Sequence, residues 1–245
     1  MFQLLNRIRL ALHRQQCTYW FISFPKSGRT WTKTIVEIYL CRLYGLPPFT
    51  FEKFTPWIRQ GAWQQIPRLF FVHPHCRETD PKATASFMRS LTRKKVIFMV
   101  RDPREVVYTY FFRLQKRMND AKALTMDLPE FIRDDELGIS RIIDFTNTWY
   151  CAGTQFQDYL CLRLEDVQEN PIQEISRLLT FLDIPINSDL LSEVVNDTKD
   201  RTTRQIEDSS VLLSVEDRKY LDKAMSALDP QIGYQVDRPR VDHME

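Results

Sequence analysis

The sequence predicts an α/β protein, a parallel β-sheet flanked by helices. Two observations carry the prediction. Short apolar runs of strand length alternate along the chain with longer patterns of helical period, the arrangement that covers both faces of a parallel sheet. Two of those runs, Tyr19-Trp20-Phe21-Ile22-Ser23-Phe24 and Lys95-Val96-Ile97-Phe98-Met99-Val100, pass through polar turns straight into helical patterns. Junctions of that kind lie at the carboxyl end of an open sheet, where such sheets bind ligands.

The first unit is a strand over Thr18 to Ser23, a turn, and a helix to about Leu43 with Ile35, Val36, Ile38, Tyr39 and Leu40 in its apolar pattern. Gly45 and Pro47-Pro48 end that helix. An irregular aromatic stretch follows, with Phe49, Phe51, Phe54, Trp57 and Trp63. Pro67 precedes a short strand, Arg68 to Val72; Asp80 to Leu91 reads as a helix and Lys95 to Val100 as a buried strand. Pro103, suited to a first helical turn, opens a helix to about Arg117. Two more helical patterns, Leu128 to Arg133 and Ile139 to Ala152, lead to a strand over Tyr159 to Leu164. Asn170 is placed to cap a helix that begins at Pro171, and Ser188 to Leu228 is largely helical in character.

With 245 residues the chain can bury one substantial core, so the expectation is a single domain over 1–245, with an N-terminal helix at 1–16 and a polar, frayed tail at 230–245. A net charge of +2 is too balanced for a nucleic-acid binder. The five cysteines, Cys17, Cys41, Cys76, Cys151 and Cys161, are odd in number and lack C-x-x-C spacing. That excludes a disulfide framework and a zinc site, leaves no metal to expect, and reads as reduced thiols in a cytoplasmic compartment. No run reaches the ~18 apolar residues of an integral membrane segment. Residues 1–14 mix Leu4, Leu5, Ile8, Leu10 and Leu12 with Arg7, Arg9 and Arg14. This pattern fits a short amphipathic helix packed on the domain; the other use of such a pattern is at a membrane surface.

The turn Lys26-Ser27-Gly28-Arg29-Thr30-Trp31 carries the chemistry. A strand that turns tightly into a helix aims unpaired backbone N–H groups and the positive helix end at an oxyanion. Lys26 adds a charge, and Ser27 and Thr30 add hydroxyl donors. The pattern is not a Walker loop, which requires G-x-x-x-x-G-K-[ST]. Downstream, Arg101 ends its strand with a bidentate, permanently charged fork. Thr109 follows about two turns into the next helix, where its hydroxyl can face the same anion.

Phe24-Pro25-Lys26-Ser27-Gly28-Arg29-Thr30-Trp31 resembles the 5′-phosphosulfate loop of the PAPS-dependent sulfotransferases, [YF]-P-K-S-G-T-T-W, with Arg29 at a small-hydroxyl position. The segment from Arg101 to Phe111 resembles the family's 3′-phosphate motif, with Thr109 for serine. Pro67-Arg68-Leu69-Phe70-Phe71-Val72-His73 resembles P-R-[IVL]-x-K-[TS]-H. These resemblances imply the P-loop-nucleotide-hydrolase-like sulfotransferase fold and PAPS as co-substrate. They imply a nucleotide site of Lys26, Ser27, Gly28, Arg29, Thr30, Trp31, Arg101 and Thr109, and a small-molecule acceptor with a hydroxyl or amine. His73 is then the general base, a role that suits a side chain titrating near neutrality, and Lys26 stabilises the leaving phosphate. His75 competes for the base's role, because two residues apart in an extended segment face the same side.

The chain departs from the family in four places. Phe71 and Val72 stand for a lysine and a hydroxyl residue, and Arg29, if turned inward, restores the charge lost at Phe71. Leu164 stands for a tyrosine beside the adenine, leaving Trp31 to stack on the base. No R-K-G-x-x-G-like loop follows Arg204, so Arg201 or Arg204 substitutes or the nucleotide site is more open. Two other functions compete on these residues: a non-catalytic binder of PAPS or PAP, and a small nucleotide kinase, which the missing Walker pattern opposes. The acceptor is not legible, although residues 49–63 are candidates to line an apolar pocket. Neither is the oligomeric state.

Overall fold

The computed structural model describes residues 16–51, 61–74, 80–117, 125–198 and 213–234. Four parallel strands form one sheet in the order β2-β1-β3-β4: β1 (Tyr19–Ser23), β2 (Leu69–Val72), β3 (Lys95–Val100) and β4 (Asp158–Arg163). The chain leaves β1 for β2 on one side and crosses back to β3 on the other. The order therefore reverses between β1 and β3, where doubly wound sheets bind their ligands. Both strands are interior, and every residue of β1 is buried, which is why each reads as a near-continuous apolar run.

Nine helices among the described residues cover the sheet: α1 (Arg29–Tyr44), α2 (Pro81–Ser90), α3 (Pro103–Arg117), α4 (Leu128–Arg133), α5 (Ile139–Cys151), α6 (Leu164–Glu169), α7 (Pro171–Phe181), α8 (Ser188–Thr198) and α9 (Val215–Ala224). Side-chain alternation along the strands sorts them into two layers. Trp20, Ile22, Phe70, Val96 and Phe98 pack with α2, α3, α4, α5 and α9. Tyr19, Phe21, Leu69, Ile97 and Met99 pack with α1, α6, α7 and α8. The α/β class expected from the sequence is the class observed.

Local chemistry explains most boundaries. The Asp80 carboxylate accepts from the Lys82 N–H at 2.9 Å, with Pro81 in the first turn of α2. Asp127 and Glu130 form a reciprocal capping box on α4. Asn170 does occupy the position before α7, but no side-chain hydrogen bond caps that helix. The helix α6 is unanticipated, because its first residue, Leu164, continues the strand's alternation.

The expected polar tail at 230–245 needs correction. Pro230–Ile232 form a 3₁₀ turn, and Ile232 and Tyr234 are buried. The Tyr234 hydroxyl donates to Glu165, and the Arg163 guanidinium lies 4.4 Å from the centre of its ring. The chain is thus packed through Tyr234; residues 235–245 lie outside the described set, as do 1–15 of the expected N-terminal helix. Cys17, Cys41, Cys151 and Cys161 are free thiols. Among the described residues no helix is long and apolar enough to cross a membrane, and no three His, Cys, Asp or Glu side chains cluster as a metal site.

Candidate active site

The turn between β1 and α1 has the backbone geometry of an anion cradle. Lys26 and Gly28 both adopt left-handed backbone, with φ of 76° and 87°. Left-handed residues alternating with an ordinary one turn successive N–H groups toward a common point. Gly28 is the N-cap of α1 and has no side chain to satisfy the first-turn amides. It is also the residue the packing requires, since a Cβ there would run into the Leu164 side chain. Leu164 is therefore spent on the back of the turn, 5% exposed. Ser27 is buried within the turn, Thr30 is exposed, and the Trp31 indole N–H is buried with no hydrogen-bond partner among the described residues.

Positive φ costs a non-glycine residue of the order of 1 kcal/mol, so Lys26 needs support. Arg101 provides it from the end of β3: its Nη1 donates to the Lys26 carbonyl oxygen at 3.1 Å. Its Nη2 lies 3.6 Å from Glu105. The two sequence motifs thus meet across the β1–β3 switch point, and the Arg101 fork is partly engaged in holding the loop. Thr109 lies on α3 with its hydroxyl donating to the Glu105 and Val106 carbonyls at 2.9 and 3.1 Å. In this conformation its single proton points along its own helix.

His73 immediately follows β2. Its Nδ1 is 2.6 Å from the Ser23 carbonyl oxygen. A carbonyl can only accept, so Nδ1 carries the proton and Nε2 is left with a lone pair. Burial lowers the His73 pKa to about 4, and the charges of Arg29 and Arg113 push the same way. The imidazole is therefore neutral at physiological pH.

Arg29, the first residue of α1, turns toward β2: its guanidinium lies 5.8 Å from the centre of the Phe71 ring. Lys33, one helical turn later, has its ammonium 5.9 Å from the same ring. Phe71 is itself stacked on Phe21 at 5.3 Å and packed on Phe51 at 5.4 Å. Sequence reasoning missed Lys33, although its spacing from Arg29 was the available signal, and it missed Arg113. His75, Arg201 and Arg204 lie outside the described residues.

A half-buried carboxylate ties the site to the end of the chain. Glu165 accepts from the Asp102 N–H at 2.9 Å and from the Tyr234 hydroxyl, and burial raises its pKa. The Asp102 side chain clamps Arg104, which reaches Asp222 of α9 at 2.9 Å. No sequence motif pointed to Tyr234 or Asp222.

Comparison with known proteins agrees with this construction. The model of the sulfotransferase domain matches residues 18–227, and the chain belongs to the PAPS-dependent sulfotransferase family. It is 25% identical over 187 residues to the mouse sulfotransferase 1 family member D1, covering 71% of this chain and 61% of that protein. It is 24% identical over 191 residues to dog sulfotransferase 1B1, covering 72% and 62%. The chain thus spans less than two thirds of the length of these relatives. The structure of mouse sulfotransferase SULT7A1 complexed with PAP superposes with a TM-score of 0.55 at 14% identity, over 86% of this chain and 83% of the other. A sulfotransferase from Alicyclobacillus acidocaldarius superposes at 0.52 with 10% identity, over 89% and 96%. The likeness to these two structures establishes a shared fold.

Proposed function

We propose that this chain is a sulfotransferase that moves the sulfuryl group of PAPS to a hydroxyl or amine of a small-molecule acceptor, with His73 as general base. The observation that carries the reading is the pair of left-handed residues at Lys26 and Gly28, held by Arg101 at a capless helix N-terminus. Such a cradle suits the 5′-phosphosulfate, and the partnerless indole N–H of Trp31 is available to the nucleotide. Arg101 and Thr109 are the residues for the 3′-phosphate; Thr109 must turn its hydroxyl off its own helix to donate there.

In this mechanism the acceptor's proton passes to His73 Nε2 as its oxygen, or nitrogen, bonds to sulfur. The bond between sulfur and the bridging oxygen breaks, and its electron pair leaves with the phosphate of PAP. Lys26, at the mouth of the cradle, is suited to stabilise the charge on that oxygen. The Ser23 carbonyl fixes the ring orientation and tautomer that a base requires. A cytoplasmic setting, with the cysteines reduced, is part of this reading.

The test is transfer of labelled sulfate from PAPS to a panel of phenols, alcohols and amines, comparing the full chain with His73→Ala and Lys26→Ala. Loss of turnover in both folded variants is the expected result. Turnover that survives in His73→Ala moves the base elsewhere, with His75 the first candidate. Tight PAP binding without turnover on any acceptor points instead to a binding module, and Mg²⁺-dependent use of ATP to a kinase.

A further inference from the structure

A sulfuryl group in transfer presents three non-bridging oxygens and needs donors aimed at them. Of the cations already described, Lys26 serves the bridging oxygen in the proposed mechanism, and Arg101 is engaged with the Lys26 carbonyl and Glu105. The strand that delivers His73 brings no charge, since its last two residues are Phe71 and Val72. The opposite wall does. Arg29 begins α1 directly after the cradle, and its guanidinium is seated on Phe71, two residues before the base. Phe71 is wedged between Phe21 and Phe51 and so forms a fixed platform. Lys33 flanks the same ring but is drawn toward Glu37, at 3.8 Å. Arg29 thus adjoins the cradle in sequence, sits over Phe71 two residues before the base, and acts with its charge on His73, as does Arg113 from α3.

We propose that Arg29 is a catalytic residue that receives the sulfuryl oxygens of PAPS, supplied from α1 and held in position by the Phe71 ring. This inference rests on the PAPS reading above and extends it to the group being transferred. The guanidinium offers up to five N–H donors and keeps its own proton throughout. As the sulfur–bridging oxygen bond breaks and the sulfur–acceptor bond forms, it carries charge while His73 takes the proton. Its second effect is on the base. The groups facing His73 are Arg29 from α1, Arg113 from α3 and the Ser23 carbonyl from β1, and the two cations disfavour the imidazolium.

PAPS and PAP differ by the sulfuryl group, so their affinities separate this role from phosphate binding without requiring turnover. Calorimetric titration of the full chain is expected to show that Arg29→Gln weakens PAPS about tenfold. PAP binding should stay within about twofold. Arg29→Lys should keep part of the preference, and Phe71→Leu, which removes the platform and keeps the cation, should lose part of it. Where Arg29→Gln does not fold, the Arg29→Lys and Phe71→Leu pair carries the test. Equal weakening of both nucleotides would make Arg29 a nucleotide-phosphate ligand and overturn the proposal, as would no change in either. A wild-type chain that binds neither nucleotide overturns the PAPS reading and this inference together. One that binds both without turnover removes the enzyme reading alone, and the affinity ratio still decides on Arg29. With turnover in hand, Arg29→Gln should also move the acid limb of the rate profile to higher pH, because a charge that disfavours the imidazolium is removed.

Discussion

The Arg101 guanidinium donates to the carbonyl oxygen of Lys26 across 75 residues of sequence, at 3.1 Å. Two segments that look like separate phosphate motifs are one mechanical unit. The arginine from β3 holds the left-handed lysine that opens the cradle after β1. Arg101→Ala should therefore damage both ends of a nucleotide site. The lost hydrogen bond to a charged donor costs about 1.5–3 kcal/mol, and the exposed side of the Glu105 pair adds little. Thermal melts and PAP titration are expected to show a modest loss of stability with a fall in affinity of tenfold or more. Wild-type PAP affinity in the variant would sink the idea.

Gly28→Ala tests the cradle directly. The substitution places a Cβ at φ 87° and drives it into Leu164. Left-handed backbone costs about 1–2 kcal/mol and overpacking about 1–3 kcal/mol. Urea denaturation should show destabilisation in that combined range. Adding Leu164→Ala should relieve the overpacking and leave the backbone cost, so the clash contributes a favourable coupling in the double-mutant cycle. Strict additivity would show that the two residues are not in contact.

His73 makes a prediction in pH. Its folded pKa is about 4, below the ordinary 6.5, with burial as the leading cause. Between those values the unfolded chain binds a proton that the folded imidazole refuses. Its contribution to stability therefore rises with pH across that window, by of the order of 1–3 kcal/mol, and is level above it. His73→Asn should flatten that part of the stability curve. In the same way, kcat/KM should stay level down to about pH 5 and fall only toward pH 4. An acid limb near 6.5 would mean that the catalytic base is a different group.

Tyr234→Phe removes the hydroxyl bound to half-buried Glu165 and leaves that carboxylate with the Asp102 N–H. The expected cost is about 1–3 kcal/mol, because a partly buried charged acceptor loses one of its donors. Since Asp102 adjoins Arg101, PAP affinity should fall as well. Unchanged stability and affinity would show that the tail is passive.

The parts of this molecule legible in its sequence are those governed by nearby residues. The bounds of β3 are those the apolar run predicts, because both faces of an interior parallel strand are buried. The cradle could be read because strand, turn and helix follow one another directly. Arg29 was ambiguous for the opposite reason: its orientation depends on Phe71, which comes from another strand. Thr109 carries the expected hydroxyl, yet a helical threonine has its own carbonyls within reach, and those bonds prevail in this structure. Tyr234 lies in what composition reads as a frayed tail, because composition does not reveal a partner such as Glu165, 69 residues away.

The attachment of Tyr234 and Asp222 to the start of α3 has a consequence for the order of assembly. On the ribosome, the cradle and the Arg101 segment emerge well before Asp222 and Tyr234. The two fastenings that steady the second motif are among the last described residues to be made. A nascent chain can form the β1–β3 crevice long before it can lock it. Nucleotide binding should therefore appear late in synthesis, when residue 234 has cleared the exit tunnel.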